Sequence, residues 1–197
     1  MRLRLLGAAL LALLAVGTSR AAAGADEGWT IDRFSAQILV RADASMLVTE
    51  TIEVDFGSQQ KHGVFREIPV RYDHSDRQER VYDLRVQSVT DASGRSWRYE
   101  RTDEGRFARI KIGDPDRTIS GKQTYRIVYE VQGALNAFAD HDELYWNANG
   151  KWPAVTRAAS VRVQLERGDA TRVACFQGGF GANEACRATT RAGGADM

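Results

Sequence analysis

Apolar residues recur at every second position through much of the chain, and this spacing constrains the fold more than any other feature. Residues 34–41 (FSAQILVR) alternate in this way, and so do residues 46–56, 123–131 and 160–166. Successive side chains of a β-strand point to opposite faces of a sheet. Each of these segments therefore predicts a half-buried antiparallel strand, with one face in the core and one in water.

Turn-forming sequences separate the alternating segments at strand-sized intervals. They are DASG (91–94), IGDPD (112–116), ISG (119–121), NANG (147–150) and ERGD (166–169). Beyond the N-terminal apolar segment, no stretch carries an apolar stripe at helical spacing. The pattern predicts an all-β chain of roughly eight to ten short strands, arranged as an antiparallel β-sandwich of immunoglobulin-like or related topology, with few or no helices.

The first 25 residues have the pattern of a secretory signal peptide. Arg2 and Arg4 precede an apolar run over 5–16, and small residues follow with A-x-A cleavage sites ending at Ala23 and Ala25. The run is shorter than the roughly 20 residues that span a bilayer. We therefore predict a signal peptide at 1–25 and an extracytoplasmic domain at 26–187. The small, polar residues 188–197 predict a flexible or truncated tail.

The charge balance argues against a nucleic-acid partner. The chain has 27 basic and 26 acidic residues, and loss of Arg2, Arg4 and Arg20 with the leader leaves 24 and 26, a formal charge of −2. Proteins that bind nucleic acid by neutralising phosphates carry a basic excess. No polybasic run indicates a lipid-binding patch either.

Cys175 and Cys186 are the two cysteines of the chain, and they lie close together in ACFQGGFGANEAC. In an exported protein an even, local pair indicates a disulfide. The alternative is a metal site, which needs further ligands, and no histidine lies nearby. We expect no metal and no cofactor.

Glu50 breaks the apolar alternation of its strand, since it lies on the same side as Val48 and Ile52. A carboxylate directed into a core needs a partner, protonation or access to water. Arg66 shares its side with Val64 and Ile68, and a short connection over 57–61 predicts that the two strands are antiparallel neighbours. The sequence thus predicts a structural ion pair between Glu50 and Arg66.

Two dense polar stretches, HGVFREIP (62–69) and FADHDELYWNANGKWP (138–153), offer an alternative as an enzyme cleft. His62 and Glu67, beside Arg66 in the first stretch, would face His141 and Glu143 from the second. No metalloprotease, serine hydrolase or phosphate-loop motif supports the alternative, so we assign no catalytic residue. In the HGVFREIP strand, Glu67 lies on the side opposite Arg66 and is expected to be more exposed.

A third hypothesis is a carbohydrate-binding module. It requires at least two exposed aromatic side chains in one plane, and the candidates are Trp97, Trp146 and Trp152. The alternative for Trp146 and Trp152 is that they pack in the core or at its rim.

Several stretches, in order along the chain, resemble one family. They are SMLVTETIEVDF, HGVFREIPVRY, YDLRVQSVTDASG, IKIGDPDRTISGKQTYRIVYEVQGALN, DHDELYWNANGKWP and ACFQGGFG. Together they are similar to bacterial predicted membrane proteins catalogued as domain of unknown function 2207.

The resemblance implies an exported β-rich domain that follows a signal sequence and precedes transmembrane helices. The family would be expected to add one or two strands and a membrane segment beyond Met197, so the chain reads as a truncated or a short soluble member. Membrane association would come through segments missing here or an uncleaved leader. We expect a domain for binding, sensing or scaffolding at the extracytoplasmic face of the membrane or in the periplasm, with another envelope protein or a cell-surface ligand as partner.

Overall fold

The computed structural model describes residues 28–75, 78–179 and 182–197. Within these ranges the chain forms β-strands and no helix. For residues 73–75 and 78 the description is limited to the backbone, and the predicted signal peptide at 1–25 lies outside the described residues. The strands are β1 (Thr30–Val40), β2 (Met46–Asp55), β3 (Gly63–Pro69), β4 (Arg71–Ser75), β5 (Gln78–Val81), β6 (Asp83–Thr90), β7 (Tyr99–Glu104), β8 (Phe107–Gly113), β9 (Lys122–Gln132), β10 (Leu135–Ala137), β11 (Asp142–Leu144), β12 (Val155–Thr156), β13 (Ala159–Leu165), β14 (Phe176–Gln177), β15 (Glu184–Ala185), β16 (Thr189–Arg191) and β17 (Gly194–Asp196). The all-β prediction is confirmed.

The larger sheet has eight strands, seven of them in the order β16-β17-β13-β1-β2-β9-β6, with β12 also paired to β1. Its central strands are the segments with the clearest two-residue alternation. β2 alternates buried and partly buried residues along most of its length, as the pattern predicts. Most strand pairings in the larger sheet are antiparallel, whereas β1 pairs in parallel with β12 and β13.

A smaller sheet, ordered β3-β8-β7, supplies the opposite side of the core. Ile68 of β3 and Ile110 of β8 are fully buried and belong to the same core cluster as Phe34, Ile52 and Tyr125 of the larger sheet. Two sheets with one shared core are consistent with the predicted β-sandwich. Three two-stranded ribbons, β4-β5, β10-β11 and β14-β15, complete the described fold.

The predicted pairing of the Glu50 and Arg66 strands is wrong. β2 pairs with β1 and β9, whereas β3 pairs with β8 in the other sheet. The connection over 57–61 therefore joins two sheets and does not close a hairpin. Its short length is compatible with both outcomes, and the choice depends on strands far away in sequence.

Residues 189–196, within the segment 188–197 for which the sequence predicts a flexible or truncated tail, form a hairpin. β16 pairs with β17, and β17 adds to the larger sheet beside β13. Gly194 approaches β13 so closely that a Cβ there would lie 2.0 Å from the carbonyl oxygen of Val163. The small residues of this segment therefore permit close backbone packing.

Candidate functional site

A group of charged and polar side chains lies in the core, between the two sheets. Glu50 is in the middle of β2, opposite Ala36 of β1 and Ile127 of β9. Arg66 is in β3, opposite Ile110 of β8. Both side chains are completely buried. The alternation of each strand directs the two side chains inward from opposite layers, so that they meet across the core.

The two charged groups form a bidentate pair. Arg66 donates from Nε to Glu50 Oε2 and from Nη2 to Glu50 Oε1, each at 2.7 Å. The Tyr129 hydroxyl, from β9, donates to Glu50 Oε1 at 2.6 Å. The planar guanidinium fork matches the two carboxylate oxygens, and charge-assisted bonds of this kind are the strong ones.

Backbone carbonyls take the remaining donors of Arg66. Nη1 donates to the carbonyl oxygens of Glu67 at 2.9 Å and Asn149 at 3.1 Å. Nη2 also donates to the carbonyl oxygen of Ala148 at 2.6 Å. A guanidinium has five N–H donors, and all five are engaged here.

Two aromatic rings lie against the same guanidinium. The centroids of the Phe34 and Trp152 rings are each 5.5 Å from Arg66 Cζ. A desolvated cation is attracted to the negative face of an aromatic ring. Phe34 belongs to β1 and Trp152 to the segment between β11 and β12, so this contact joins further parts of the chain to the pair.

The surroundings favour a charged arginine and a neutral tyrosine. Burial alone lowers the pKa of Arg66, but the Glu50 charge and its hydrogen bonds outweigh burial, so the pKa of Arg66 is raised. Burial, with the Glu50 charge adding to it, holds the pKa of Tyr129 well above 10. Tyr129 therefore keeps its proton and donates a hydrogen bond to Glu50.

Burial keeps solvent away from both charged groups. Every Arg66 donor has a partner, and the Glu50 carboxylate accepts three bonds, two from Arg66 and one from Tyr129. A catalytic group needs a free donor, acceptor or lone pair near a place where a reacting atom can bind. The chemistry that the arrangement supports is the cross-linking of two sheets by a buried ion pair, and its contribution to stability stays a prediction.

The four candidate cleft residues have separate local partners. The His62 ring, at Nδ1, lies 3.2 Å from the carbonyl oxygen of Asp114 and 3.1 Å from that of Arg117. Glu67, about one third exposed, pairs with Arg109 at 3.5 Å across β3 and β8. His62 and Glu67 thus contact a turn and a neighbouring strand of their own sheet.

His141 and Glu143 belong to the β10-β11 ribbon. Nδ1 of His141 lies 2.8 Å from Asp140 Oδ1, and the ring stacks on Phe138 with centroids 4.8 Å apart. Glu143 Oε2 accepts a bond from Asn136 Nδ2 at 3.0 Å. These contacts stay within the ribbon, as in an ordinary acidic hairpin.

The two described cavities, each of about 300 Å³, are lined by other residues. One lies beside Asp43, Ser45, Gln132 and Leu135, and the other lies between β5–β6 and β7, beside Tyr82, Leu84 and Arg101. Neither has His62, Glu67, His141 or Glu143 in its lining. Within the described ranges, no group of three or more histidine, cysteine, aspartate or glutamate residues could hold a metal ion.

The three tryptophans proposed as a carbohydrate platform pack against the core instead. Each is partly buried. Trp97 lies against Tyr125 with centroids 5.2 Å apart, Trp146 stacks on Tyr82 at 6.2 Å, and Trp152 covers Arg66. Each ring thus makes a contact inside the fold, and the carbohydrate-binding hypothesis stays a prediction.

The predicted disulfide is confirmed. Cys175 and Cys186 are bonded, and the Cys186 amide donates to the Cys175 carbonyl at 3.0 Å. The bond closes the β14-β15 ribbon, in which Phe176 pairs with Ala185. Disulfides persist in oxidising compartments, so this bond is typical of an extracytoplasmic domain.

Sequence reasoning missed three participants in the buried cluster: Tyr129, Trp152 and Gly150. Tyr129 has a hydroxyl on the apolar side of its strand, beside Glu50's strand, and that oddity could have indicated a partner for a buried carboxylate. Gly150 has φ +72°, and a Cβ there would lie 2.5 Å from Arg66 Nη1. The NANG sequence predicted a turn, but nothing in it indicated a contact with Arg66.

Solved structures with similarity to the chain include two enzymes that are longer than it. An M1 zinc metallopeptidase from Deinococcus radiodurans is 12% identical, with a TM-score of 0.47, over 87% of this chain and 38% of the peptidase. Leukotriene A4 hydrolase from Saccharomyces cerevisiae is 11% identical, with a TM-score of 0.44, over 72% of this chain and 24% of the hydrolase. The chain thus spans well under half the length of either enzyme. Likeness at this level carries no information about activity.

No curated protein matches the chain. In the described residues, no helix has the length and apolar character needed to cross a membrane. The family model described as "Predicted membrane protein (DUF2207) N-terminal domain" matches residues 30–192, which is most of the chain and confirms the resemblance. The chain therefore belongs to this family of predicted membrane proteins and carries its N-terminal domain.

Proposed function

We propose that the chain is a non-catalytic extracytoplasmic domain of a bacterial envelope protein, with a role in binding, sensing or scaffolding. The observation that carries the proposal is that the candidate cleft residues have separate local partners. His62, Glu67, His141 and Glu143 each contact a different local partner. Arg66, at the centre of the first dense stretch, is wholly engaged in the core.

The exported location is supported by the Cys175–Cys186 disulfide and by the family of predicted membrane proteins. The partner that we propose is another envelope protein or a cell-surface ligand. Loops and exposed strands held on a rigid β-scaffold are common binding surfaces. The enzyme alternative needs the cleft residues to act together, and their contacts give it no support.

Crosslinking in intact cells tests the proposal. Cells exporting the protein are treated with a short crosslinker, the protein is purified under denaturing conditions, and attached components are identified by mass spectrometry. We expect a reproducible envelope component, which is then purified and tested for direct binding by calorimetry.

A variant with His62→Ala, Glu67→Gln, His141→Ala and Glu143→Gln is the internal control. A binding domain of the proposed kind keeps its crosslinked partner in this variant, because none of the four side chains is assigned to binding. An unrelated exported β-domain sets the background. The proposal fails if crosslinking does not exceed that background, or if the four substitutions abolish turnover of a component that the wild type consumes.

A further inference from the structure

Residues 146–152, which we name the strap, lie over the guanidinium of Arg66. The strap is outside the paired strands, because β11 ends at Leu144 and β12 begins at Val155. Three of its contacts converge on one side chain: Ala148 and Asn149 offer carbonyl oxygens to Arg66, and the Trp152 ring covers the same guanidinium. In addition, the Trp146 ring stacks on Tyr82, and Asn149 Nδ2 donates to Thr156 Oγ1 at 3.5 Å.

The strap also has bonds of its own that give it a defined shape. Asn147 Oδ1 accepts from the Gly150 amide at 3.0 Å, which closes a turn. Trp152 Nε1 donates to the carbonyl oxygen of Asn149 at 2.8 Å. These bonds lie within the strap and survive if it moves as a unit. Gly150 faces Arg66 so closely that a side chain there would meet Nη1.

Two buried polar atoms of the strap have no hydrogen-bond partner among the described residues. They are Trp146 Nε1 and Asn149 Oδ1. An unpaired buried donor or acceptor carries a desolvation penalty, which contact with water removes. The docked strap therefore carries a cost that opening relieves.

The ion pair beneath the strap does not depend on it for its geometry. Three of the five Arg66 hydrogen bonds go to Glu50 and to the Glu67 carbonyl, within the two sheets. Glu50 is also held by Tyr129. Opening of the strap would release two carbonyl contacts and the Trp152 ring from Arg66, and would separate Trp146 from Tyr82, while the pair stays in place.

We propose that residues 146–152 open and close as a unit over the Glu50–Arg66 pair while both sheets remain folded, and that Arg66 is the latch that holds the strap shut. Segments that open below the free energy of global unfolding are those with few stabilising contacts to the rest of the fold. Here three of those contacts fall on one guanidinium, beside the stack of Trp146 on Tyr82 and the bond from Asn149 to Thr156. The proposal is independent of any partner or activity of the domain.

Hydrogen exchange measured by NMR on the full mature protein tests this device. The Trp146 indole N–H reports on the strap, because it is buried with no hydrogen-bond partner among the described residues and only burial protects it. The slowest amides of β2 and β9 report on global unfolding. In the wild type, we expect the Trp146 indole N–H to exchange at least about tenfold faster than those core amides.

Trp152→Phe provides the decisive variant, because it weakens the latch and leaves the buried charges paired. We expect it to raise exchange of the Trp146 indole N–H by at least about tenfold, with less than about a threefold change in the β2 and β9 amides. Trp97→Phe is the matched control, since Trp97 is also partly buried and its Nε1 donates to a backbone carbonyl, that of Thr124, at 3.3 Å. It should leave the ratio of Trp146 indole to core exchange unchanged.

Gly150→Ala is a second, independent variant, in which the new methyl group meets Arg66 Nη1 and the Trp146 indole is again the reporter. We expect faster indole exchange without a matching change in β2 and β9. The proposal is overturned if the strap reporter exchanges at the same rate as the slowest core amides. It is also overturned if both tryptophan variants raise strap and core exchange in parallel.

Discussion

At the scale of single residues, Glu50 and Arg66 place two opposite charges inside the described core. Both groups have lost all contact with water, and the network around them contains two sheets and a loop. Taking two charges out of water costs several kcal/mol per ion, and good geometry with added hydrogen bonds offsets that cost. Removal of one partner leaves the other charge uncompensated.

Glu50→Ala and Arg66→Ala are each expected to lower the free energy of unfolding by about 3–5 kcal/mol. Glu67→Ala, next to Arg66 but about one third exposed, should cost less than about 1 kcal/mol. Denaturant unfolding of the three variants measures the difference. A Glu50→Leu, Arg66→Met double variant should be less destabilised than either alanine variant, because it leaves no unpaired charge.

Equal unfolding curves for the wild type and the Glu50→Ala and Arg66→Ala variants would show that the pair contributes nothing. A loss in the double variant larger than the two single losses combined would show that the charges themselves stabilise the core.

At the scale of secondary-structure elements, the hairpin of β16 and β17 depends on close backbone approach. Gly194 faces β13, and its Cβ would overlap the carbonyl oxygen of Val163. The hairpin also holds the Met197 amide, which donates to the Val161 carbonyl at 2.8 Å. A side chain at position 194 must push the hairpin away from the sheet.

Gly194→Val is therefore expected to detach β17 from β13, with a loss of about 1–3 kcal/mol, the usual cost of overpacking. Hydrogen exchange at the amides of Ala195 and Met197 should increase more than exchange in β2. Gly179→Val is the matched control, since a Cβ at Gly179 meets nothing within 4 Å. Unchanged protection of β17 in Gly194→Val would contradict the close approach.

The elements also show which parts of the fold the sequence could predict. Alternation is local, so it located the central strands and directed Glu50 and Arg66 inward. The choice of strand partners is non-local, so the short link over 57–61 could not distinguish a hairpin from a crossing between sheets. The small residues of 188–197 lack apolar periodicity, so the sequence of this segment does not indicate a strand. Its close packing on β13 is a non-local contact that the segment alone cannot predict.

For the candidate site, the sequence predicted the two charged residues but not their surroundings. Trp152, Gly150 and the carbonyl groups of Ala148 and Asn149 come from a loop more than eighty positions after Arg66. Every residue has a backbone carbonyl, so the sequence does not indicate which carbonyls accept hydrogen bonds from Arg66. The enclosure of the guanidinium could therefore be found only in three dimensions.

At the scale of the whole molecule, buried tyrosines make stability depend on alkaline pH. Burial raises the pKa of Tyr125, and burial together with the Glu50 charge raises that of Tyr129. An unfolded tyrosine ionises near pH 10. Between that pH and the higher folded pKa, the folded state holds protons that the unfolded state has released. This contribution to stability is thus complete below about pH 10 and falls as the pH rises above it.

Tyr125→Phe isolates one of these groups. The Tyr125 hydroxyl is buried with no hydrogen-bond partner among the described residues, so its removal at pH 7 should leave the melting temperature unchanged or raise it. Above about pH 10 the wild type should lose up to about 1.4 kcal/mol per pH unit relative to the variant. Denaturant unfolding at pH 7, 10 and 11 measures this difference.

Tyr99→Phe is the matched control, because Tyr99 is 38% exposed. The control should follow the wild type at each pH. An identical pH dependence for the wild type and Tyr125→Phe would contradict a raised pKa for the buried hydroxyl.

The parallel pairing of β1 with β13 sets the order in which the molecule can be completed. Phe34 lies beside Ala159, 125 positions later in the chain. At a synthesis rate of about 5–20 residues per second, the first strand exists for roughly 6–25 s before its partner has been made. During that interval one side of β1 has unpaired amides and carbonyls that another chain could capture. Completion of the larger sheet is therefore tied to the arrival of the last quarter of the chain, which makes folding slow compared with a fold built from local hairpins.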